Sequence, residues 1–494
     1  MNGEETRYRM RENTIKIIAT LGPASDDKQM IKNLIKAGVD VFRINFSHGT
    51  REEKKEVVKK IRELSQYIGI MADIQGPKIR VGEFKDDETY FLHTGDKIKI
   101  FEKDILGDAE QFSIPLEGLL KSISEGDFLY INDGIIQIQV KEKQKDHFIG
   151  EVIAGGEISN NKGVNIPSGK IQQKVPTEKD IKDLELIAEL DVEYVAISFV
   201  SGGDDVLRVK KILENYGNNE IKLVSKIERP IALTNFDQIL QVSDAVMIAR
   251  GDLGVEISPD KVPLKQKDLI YRCNKEGKPV IVATQMLESM TNSPLPTRAE
   301  AADVFNAVLD GTDAVMLSSE TAIGKYPVNA VLFMNKIAYT ANENMSQRTP
   351  DEYDSDRLTH TQTLGHSIHS LAKEMEELNF RGKILVITRG GYGARMISKY
   401  RPQLPIIAIT PFKKTAREIN LVWGVQPFHI ENIDFFNMDA ESIIEQSVKF
   451  AVDINVVNEN EHVIILLVSR KFERRGNLVG LYYVGEILEK GSFD

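Results

Sequence analysis

Eight short apolar runs, separated by polar loops and amphipathic stretches, constrain the fold of this chain more than any other feature. They cover residues 16–20, 39–44, 70–73, 194–199, 222–226, 245–249, 280–284 and 314–317. Apolar runs of this length, bounded by turn signals and alternating with helical periodicity, read as buried parallel strands. Eight such strands alternating with helices predict a (β/α)8 TIM barrel, because a sheet closes at about this number. An open doubly wound sheet is the competing reading of the same rhythm. Either fold places ligands at the C-terminal ends of its strands, so the loops after the runs are where chemistry is expected.

Two departures from the rhythm divide the chain. The first helix carries Met30, Ile31, Leu34 and Ile35 on one face, with Ser25 as its expected cap and Gly38 as its stop. From 81 to 176 helical periodicity disappears. Alternation such as Ile136, Ile138 and Val140, after a turn at Asn132-Asp133-Gly134, predicts an inserted small β domain. Thr177-Glu178-Lys179-Asp180 then starts a helix with Ile181, Leu184, Ile187 and Ala188 on its buried face. A polar, acidic stretch at 349–356 reads as a linker. Strand candidates at 384–388, 405–410, 463–468 and 478–484, with a helix at 440–452, predict a C-terminal α/β domain with an open sheet. The expected division is an arm at 1–13, barrel at 14–80 and 177–348, a lid at 81–176, and an effector-type domain at 357–494.

Composition narrows the partners. With 63 basic against 74 acidic residues the net charge is −11, which disfavours nonspecific attraction to nucleic acid or anionic membranes. Cys273 is the only cysteine and cannot form an internal disulfide; its neighbours Ile270, Tyr271 and Arg272 read as a helix interior. Residues 1–13 alternate charge and polarity without an apolar core, so neither a signal peptide nor a membrane span is expected there. A cytoplasmic location is the expectation.

The residues just past the runs form a polar set. The second run gives Arg43, Asn45, Ser47 and His48, the third Asp73, Lys78 and Arg80, and the fifth Lys226 and Glu228. The sixth gives Arg250, Gly251 and Asp252, the seventh Thr284, and the eighth Ser318, Ser319 and Glu320. Scattered charge is what any barrel rim carries. Glu228 and Asp252 can also share one hard divalent cation, with water and substrate oxygens completing the octahedron magnesium prefers. Salt bridges to Lys226 and Arg250 are the alternative use of the same carboxylates. Gly251 opens a helical turn whose amides can receive a carboxylate or phosphate, a plain tight turn being the alternative. Arg43 and Lys226 suit a phosphoryl group and the charge that spreads over its oxygens during transfer. No Walker A loop, Ser-His-Asp arrangement or paired-cysteine zinc site stands out in the sequence.

Five stretches carry a closer likeness: Ala19-Thr20-Leu21-Gly22-Pro23-Ala24-Ser25, Arg43-Ile44-Asn45-Phe46-Ser47-His48-Gly49, Ser225-Lys226-Ile227-Glu228, Ala249-Arg250-Gly251-Asp252-Leu253-Gly254 and Ala283-Thr284-Gln285-Met286-Leu287-Glu288-Ser289-Met290. In them the chain closely resembles the pyruvate kinase family, whose order of barrel, lid, barrel and effector domain it shares. The resemblance implies phosphoryl transfer from phosphoenolpyruvate to ADP, then protonation of enolpyruvate, giving ATP and pyruvate. It implies that Arg43 and Lys226 grip the phosphoryl group and that Lys226 stabilises the transition state. Glu228 and Asp252 would hold magnesium, and a second magnesium would travel with the nucleotide. Backbone at Gly251 and Asp252, with Thr284, would fix the substrate carboxylate, and Thr284 sits where the enolate is protonated. Asn45, His48, Arg80 and, from the lid, Lys162 become nucleotide contacts. A closed lid would exclude water that could otherwise accept the phosphoryl group. A homotetramer is implied as well.

Three features depart from the family. Members that need potassium bind it through the positions of Asn45, Ser47, Asp73 and the Ile74 carbonyl, with glutamate where this chain has Lys78. A lysine there reverses the local charge and repels a further cation, so Lys78 is expected to replace the ion and activity to be potassium-independent. Ser319 stands where the family usually has glycine, a change that matters only if the position needs positive φ. In the last domain, Thr388, Arg389, Gly391, Gly393 and Arg395 lie between a strand and a helix, where amides can cradle phosphate. The loop is poorer in serine and threonine than the family's sugar-bisphosphate sites. A phosphorylated small-molecule effector is therefore expected, and fructose bisphosphate is not. Arg470, Lys471, Arg474 and Arg475 form a basic loop open to two readings, a solvated turn or an effector site.

Two other functional classes compete. A magnesium-dependent lyase acting on pyruvate or phosphoenolpyruvate would need Arg43, Glu228 and Asp252 but no nucleotide. A metabolite-binding regulator would have lost a catalytic group, whereas Lys226, Glu228, Asp252 and Thr284 are all present.

Overall fold

A computed structural model describes residues 14–166, 174–345, 360–431, 433–435, 437–469 and 476–489. The arm at 1–13, the linker at 349–356 and the basic residues Arg470, Lys471, Arg474 and Arg475 lie outside these described residues.

Three strands come first: β1 (Lys16–Leu21), β2 (Val41–Asn45) and β3 (Gly69–Ile74). The insert holds β4 (Tyr90–Leu92), β5 (Lys97–Phe101), β6 (Gln111–Ser113), β7 (Phe128–Ile131), β8 (Ile136–Lys143), β9 (His147–Ala154), β10 (Gly156–Ile158) and β11 (Val164–Asn165). Then come β12 (Tyr194–Ile197), β13 (Lys222–Ile227), β14 (Ala245–Ala249), β15 (Val280–Ala283) and β16 (Ala314–Leu317). The C-terminal segment adds β17 (Gly382–Ile387), β18 (Ile406–Thr410), β19 (Val425–His429), β20 (His462–Ser469) and β21 (Gly476–Tyr483).

The eight expected strands close into a barrel in the order β1-β16-β15-β14-β13-β12-β3-β2, which removes the open-sheet alternative. Every residue of β1, β3 and β14 is buried, and burial on both faces is why these strands read as continuous apolar runs. The insert behaves differently. In β8, buried Ile136, Ile138 and Val140 alternate with half-buried Gln137 and Gln139. One face of the six-stranded sheet β11-β7-β8-β9-β5-β6 closes over Phe84, Phe112 and Phe148. Asn132 and Asp133 take φ of +55° and +56° in the turn before β8, which such residues tolerate better than most.

The first helix, Lys28–Ala37, is capped by Asp27 and not by Ser25. Asp27 Oδ1 accepts from the amides of Gln29 and Met30, at 2.9 and 3.0 Å. Ser25 closes an earlier turn, its amide donating to Gly22 O at 2.8 Å, so the helix begins past it. Gly38 ends the helix with φ +111°, as expected. Helix Glu178–Glu189 starts at the expected place, with Thr177 Oγ1 accepting from Asp180 N at 3.1 Å.

The C-terminal sheet has five strands, ordered β19-β18-β17-β20-β21, with β21 antiparallel to β20. The pattern predicted four of them. Pro427 at the centre of β19 removes a ladder donor and hides the strand, yet an edge strand accommodates a proline.

The chain forms two compact units, one of residues 1–72, 190–194 and 268–494, the other of 73–189 and 195–267. In the first, the C-terminal sheet's segment anchors at the start of the barrel strands. Arg417 Nε donates to Glu193 Oε1 and its Nη2 to Asp191 Oδ1, both at 2.6 Å. Glu193, wholly buried just before β12, also accepts from Arg62 Nη2 and from Ile70 N of β3 at 2.7 Å. Burial raises this carboxyl's pKa, and the two guanidiniums and the amide hold its charge against that. Arg401 Nη1 reaches Asp313 Oδ1, before β16, at 3.2 Å.

Candidate active site

Lys226 lies near the end of β13, 9% exposed. Its ammonium is 2.7 Å from Ser198 Oγ, 3.0 Å from Glu228 Oε1 and 3.4 Å from Asp73 Oδ1. Lys226 and Glu228 are two residues apart and so share one face of an extended chain. Ser198 follows β12 and also donates to Ile74 O at 2.8 Å. Glu228, 1% exposed, accepts from the Phe199 amide at 2.6 Å through Oε2. Burial raises the Glu228 pKa; Lys226 opposes that rise and Asp252 adds to it. Phe199 is held at φ +58°, an unusual conformation for a bulky residue, with the Arg229 guanidinium 5.2 Å over its ring.

Asp252 and Gly251 occupy the first turn of helix Arg250–Ile257. Asp252 Oδ1 is buried, accepts no hydrogen bond and lies 3.6 Å from Lys78 Nζ. The salt-bridge alternative is thus realised for Glu228 with Lys226, and Asp252 pairs with Lys78, from the loop after β3. Arg250 Nη1 donates to Gln266 Oε1 at 3.4 Å. Two carboxylates in electrostatic contact, one with a buried oxygen lacking a hydrogen bond, fit the hard-oxygen donor set of magnesium. Among the described residues no three His, Cys, Asp or Glu side chains are placed to hold one metal ion together, so water and substrate oxygens would complete the shell of an ion on Glu228 and Asp252.

At the root of the insert, Arg80 forms a β-bridge with Gly163, and its Nη1 donates to Asn161 O at 2.7 Å. Lys162 O accepts from Val81 N at 3.0 Å, which places Arg80 and Lys162 on adjoining segments.

The other unit holds a second set. Arg43 Nη1, in β2, donates to Thr20 Oγ1 at 3.1 Å, and Thr20 Oγ1 donates to Leu317 O at 2.9 Å. Asn45 Oδ1 accepts from Ser47 N at 3.0 Å, and His48 is exposed. Thr284, just past β15, has φ +67°, and Gln285 follows at +53°. A β-branched residue in the left-handed region is strained, and such strain gathers at functional sites. Buried Glu320 braces this loop by accepting from Leu287 N at 3.0 Å and Ser318 N at 2.7 Å; burial raises its pKa. Ser319 begins the short helix Ser319–Ala322 and is not among the positive-φ residues, so the position does not require glycine.

In the C-terminal sheet's first loop, Thr388 Oγ1 accepts from Gly391 N at 3.1 Å and Gly391 has φ +72°. Arg389 lies 5.7 Å over Phe412, and Arg395 5.7 Å over Tyr392. A Cβ on Gly393 would come 3.0 Å from Leu466 Cδ2, so glycine there permits close packing on β20.

No residue of the fourth strand end stands out in the sequence, although Ser198 and the Phe199 amide hold Lys226 and Glu228. The available signal was a serine ending a wholly apolar strand. Asn165 and Glu256, whose side chains meet at 3.2 Å, carry no such signal in the sequence.

Residues 12–331 match a family model described as pyruvate kinase, barrel domain, and residues 366–477 one described as pyruvate kinase, alpha/beta domain. The chain is 41% identical to a pyruvate kinase of Staphylococcus saprophyticus over 485 residues, 97% of this chain and 81% of that one. A pyruvate kinase of Sporosarcina psychrophila is 38% identical over 489 residues, with the same shares covered. A crystal structure of a pyruvate kinase from Cryptosporidium parvum aligns with a TM-score of 0.85 at 33% identity, covering 95% of this chain and 96% of that one.

Proposed function

Because this chain belongs to the pyruvate kinase family, we propose that it transfers the phosphoryl group of phosphoenolpyruvate to ADP and releases ATP and pyruvate. The observation that supports this best is the buried Lys226, held among Ser198, Asp73 and Glu228. An ammonium fixed in place can stabilise charge that spreads over phosphoryl oxygens without reorganising at the moment of transfer.

In this proposal Arg43 and Lys226 bind the phosphoryl oxygens. The amides of Gly251 and Asp252, with Thr284, receive the substrate carboxylate, and the enolate is protonated on the Thr284 side. Asn45, His48, Arg80 and Lys162 contact the nucleotide. Glu228 and Asp252 would hold one magnesium ion, which neutralises anionic oxygens when bound, and a second would arrive with the nucleotide. Residues 81–176 act as a lid that keeps water from the phosphoryl group.

Lys78 takes the part that potassium plays elsewhere in the family. Its ammonium, 3.6 Å from Asp252, adds fixed positive charge beside the proposed metal ligands. The proposal extends by kinship to a homotetramer, a cytoplasmic location, and no nucleic acid or membrane partner. Among the described residues no helix is long and apolar enough to cross a membrane. A phosphorylated effector at Thr388, Arg389, Gly391, Gly393 and Arg395 is the regulatory part of the proposal; titration with sugar phosphates and nucleotides that detected no binding would remove it.

Pyruvate formation from phosphoenolpyruvate, measured with and without ADP, tests the activity. Strictly ADP-dependent pyruvate with matching ATP is expected. Equal rates without ADP would point to the lyase class, and folded protein that makes none to a regulator.

A further inference from the structure

The helix Arg250–Ile257 carries more than Asp252 and Gly251. Glu256 lies one turn beyond Asp252 and accepts from Asn165 Nδ2, in β11 of the insert, at 3.2 Å. Asn165 is 6% exposed, so the bond is made inside the protein. The turn before β8 also comes near the same helix: a Cβ added at Gly134 would lie 3.6 Å from Val255 Cγ2. Nearby, the insert and the barrel loops face each other across a cavity of about 640 Å³, bordered by Ile79, Ile166, Ser201, Arg229 and Ile231. Continuous packing does not fix the insert there, so discrete contacts gain weight.

The surroundings of Glu256 tie it to the chemistry. Arg229, adjacent to Glu228, is faced by Glu256, Glu228, Asp205 and Asp252, and its ring contact is with Phe199, whose amide holds Glu228. Burial raises the Glu256 pKa, with the Asn165 bond and Arg229 acting against that rise. A buried carboxylate that lost its donor would strain the turn that presents Asp252.

We infer that the Asn165–Glu256 hydrogen bond is the joint through which the inserted β domain positions the helix Arg250–Ile257, and with it Asp252. Asn165 and Glu256 are positioning residues, and they matter to catalysis on the reading of Asp252 as a metal ligand. Seating of the insert and metal affinity are then coupled: loosening the joint weakens metal binding even with no metal ligand altered.

The test uses the whole chain, with Mn²⁺ as probe and binding read from loss of the free-ion paramagnetic resonance signal. Asn165→Asp sets two carboxylates against each other and is expected to weaken Mn²⁺ binding roughly tenfold or more, the scale of a lost charge-assisted bond. Amide hydrogen exchange across 250–257 should speed up in the same variant. Glu256→Gln keeps an acceptor for Asn165 and should bind Mn²⁺ within about threefold of wild type. The pair Asn165→Asp with Glu256→Gln should recover both readouts, because the new amide can donate to the new carboxylate. Asn165→Ala deletes the donor without adding charge and serves if the aspartate variant does not fold; a several-fold loss is expected.

Unchanged Mn²⁺ affinity and exchange in the Asn165 variants would overturn the joint, as would a double variant no better than Asn165→Asp. Failure of the activity proposal looks different: wild type would bind Mn²⁺ and yet make no pyruvate, and the joint would still be decided by binding and exchange.

Discussion

Reversing the charge at Lys78 probes the proposed replacement of potassium. The ammonium lies 3.6 Å from Asp252 Oδ1, with the two side chains 27% and 19% exposed. At that separation Coulomb's law gives about 4.6 kcal/mol for an effective dielectric of about 20 and about 1.2 kcal/mol in bulk water. Partial exposure of both groups moves the working figure toward the lower bound, about 1–2 kcal/mol per unit charge. Lys78→Gln removes that attraction, and Lys78→Glu replaces it by repulsion of similar size, so the reversal amounts to about 2–4 kcal/mol. Initial rates of pyruvate formation at saturating magnesium would be followed as potassium is varied, with tetramethylammonium holding ionic strength constant. Wild type should be flat across the titration. Lys78→Glu should lose at least about thirtyfold without potassium and regain most of it with the ion, and Lys78→Gln should fall between. A steep rise of wild-type activity on adding potassium, or full potassium-free activity in Lys78→Glu, would refute the charge-replacement reasoning.

Ser198→Ala takes from Lys226 its 2.7 Å partner and should lower kcat about fivefold, the scale of one hydrogen bond, and lower the urea midpoint as well, because Ile74 O loses its donor; equal kcat would exclude a role for Ser198 in holding Lys226 for catalysis. Arg417→Met leaves the fully buried Glu193 with one guanidinium instead of two and should cost about 3–5 kcal/mol in urea unfolding, whereas a loss below about 1 kcal/mol would mean that Arg62 and Ile70 suffice. Burial holds the Glu320 pKa above its ordinary value of 4.5, so between those two values the folded chain keeps a proton that the unfolded chain has released. Its contribution to stability is therefore fully present below 4.5 and is lost as pH rises through the folded value. Glu320→Gln lacks this titration, and its stability relative to wild type should improve as pH rises across that window; parallel denaturation curves would contradict this.

Much of the site was legible because its members are local. Lys226 and Glu228 sit two apart on one extended segment, so their pairing follows from strand geometry alone. Asp252 follows Gly251 at a strand-to-helix junction, where both the anion-receiving turn and the carboxylate could be read. The misses are of another kind. Ser25 and Asp27 both satisfy the chemistry of a cap, and which one serves depends on where the preceding turn closes. Pro427 argues against a strand unless the strand is an edge, and edges exist only in an assembled sheet. Ser198 and Phe199 were visible as a strand end but not as partners of residues nearly 30 positions later.

By itself the sequence determined the number and kind of barrel strands, the alternation that sets the insert apart, and the polar inventory of the strand ends. These follow from periodicity and from residue chemistry, which act over a few neighbouring positions. Tertiary structure alone decided which polar groups satisfy one another: Lys226 with Ser198 and Asp73, Lys78 with Asp252, Glu256 with Asn165, and Glu193 with Arg62 and Arg417. A buried charge must find a partner, but many residues of the right type are available. The choice among them is made when the barrel closes and brings distant strand ends within hydrogen-bonding distance.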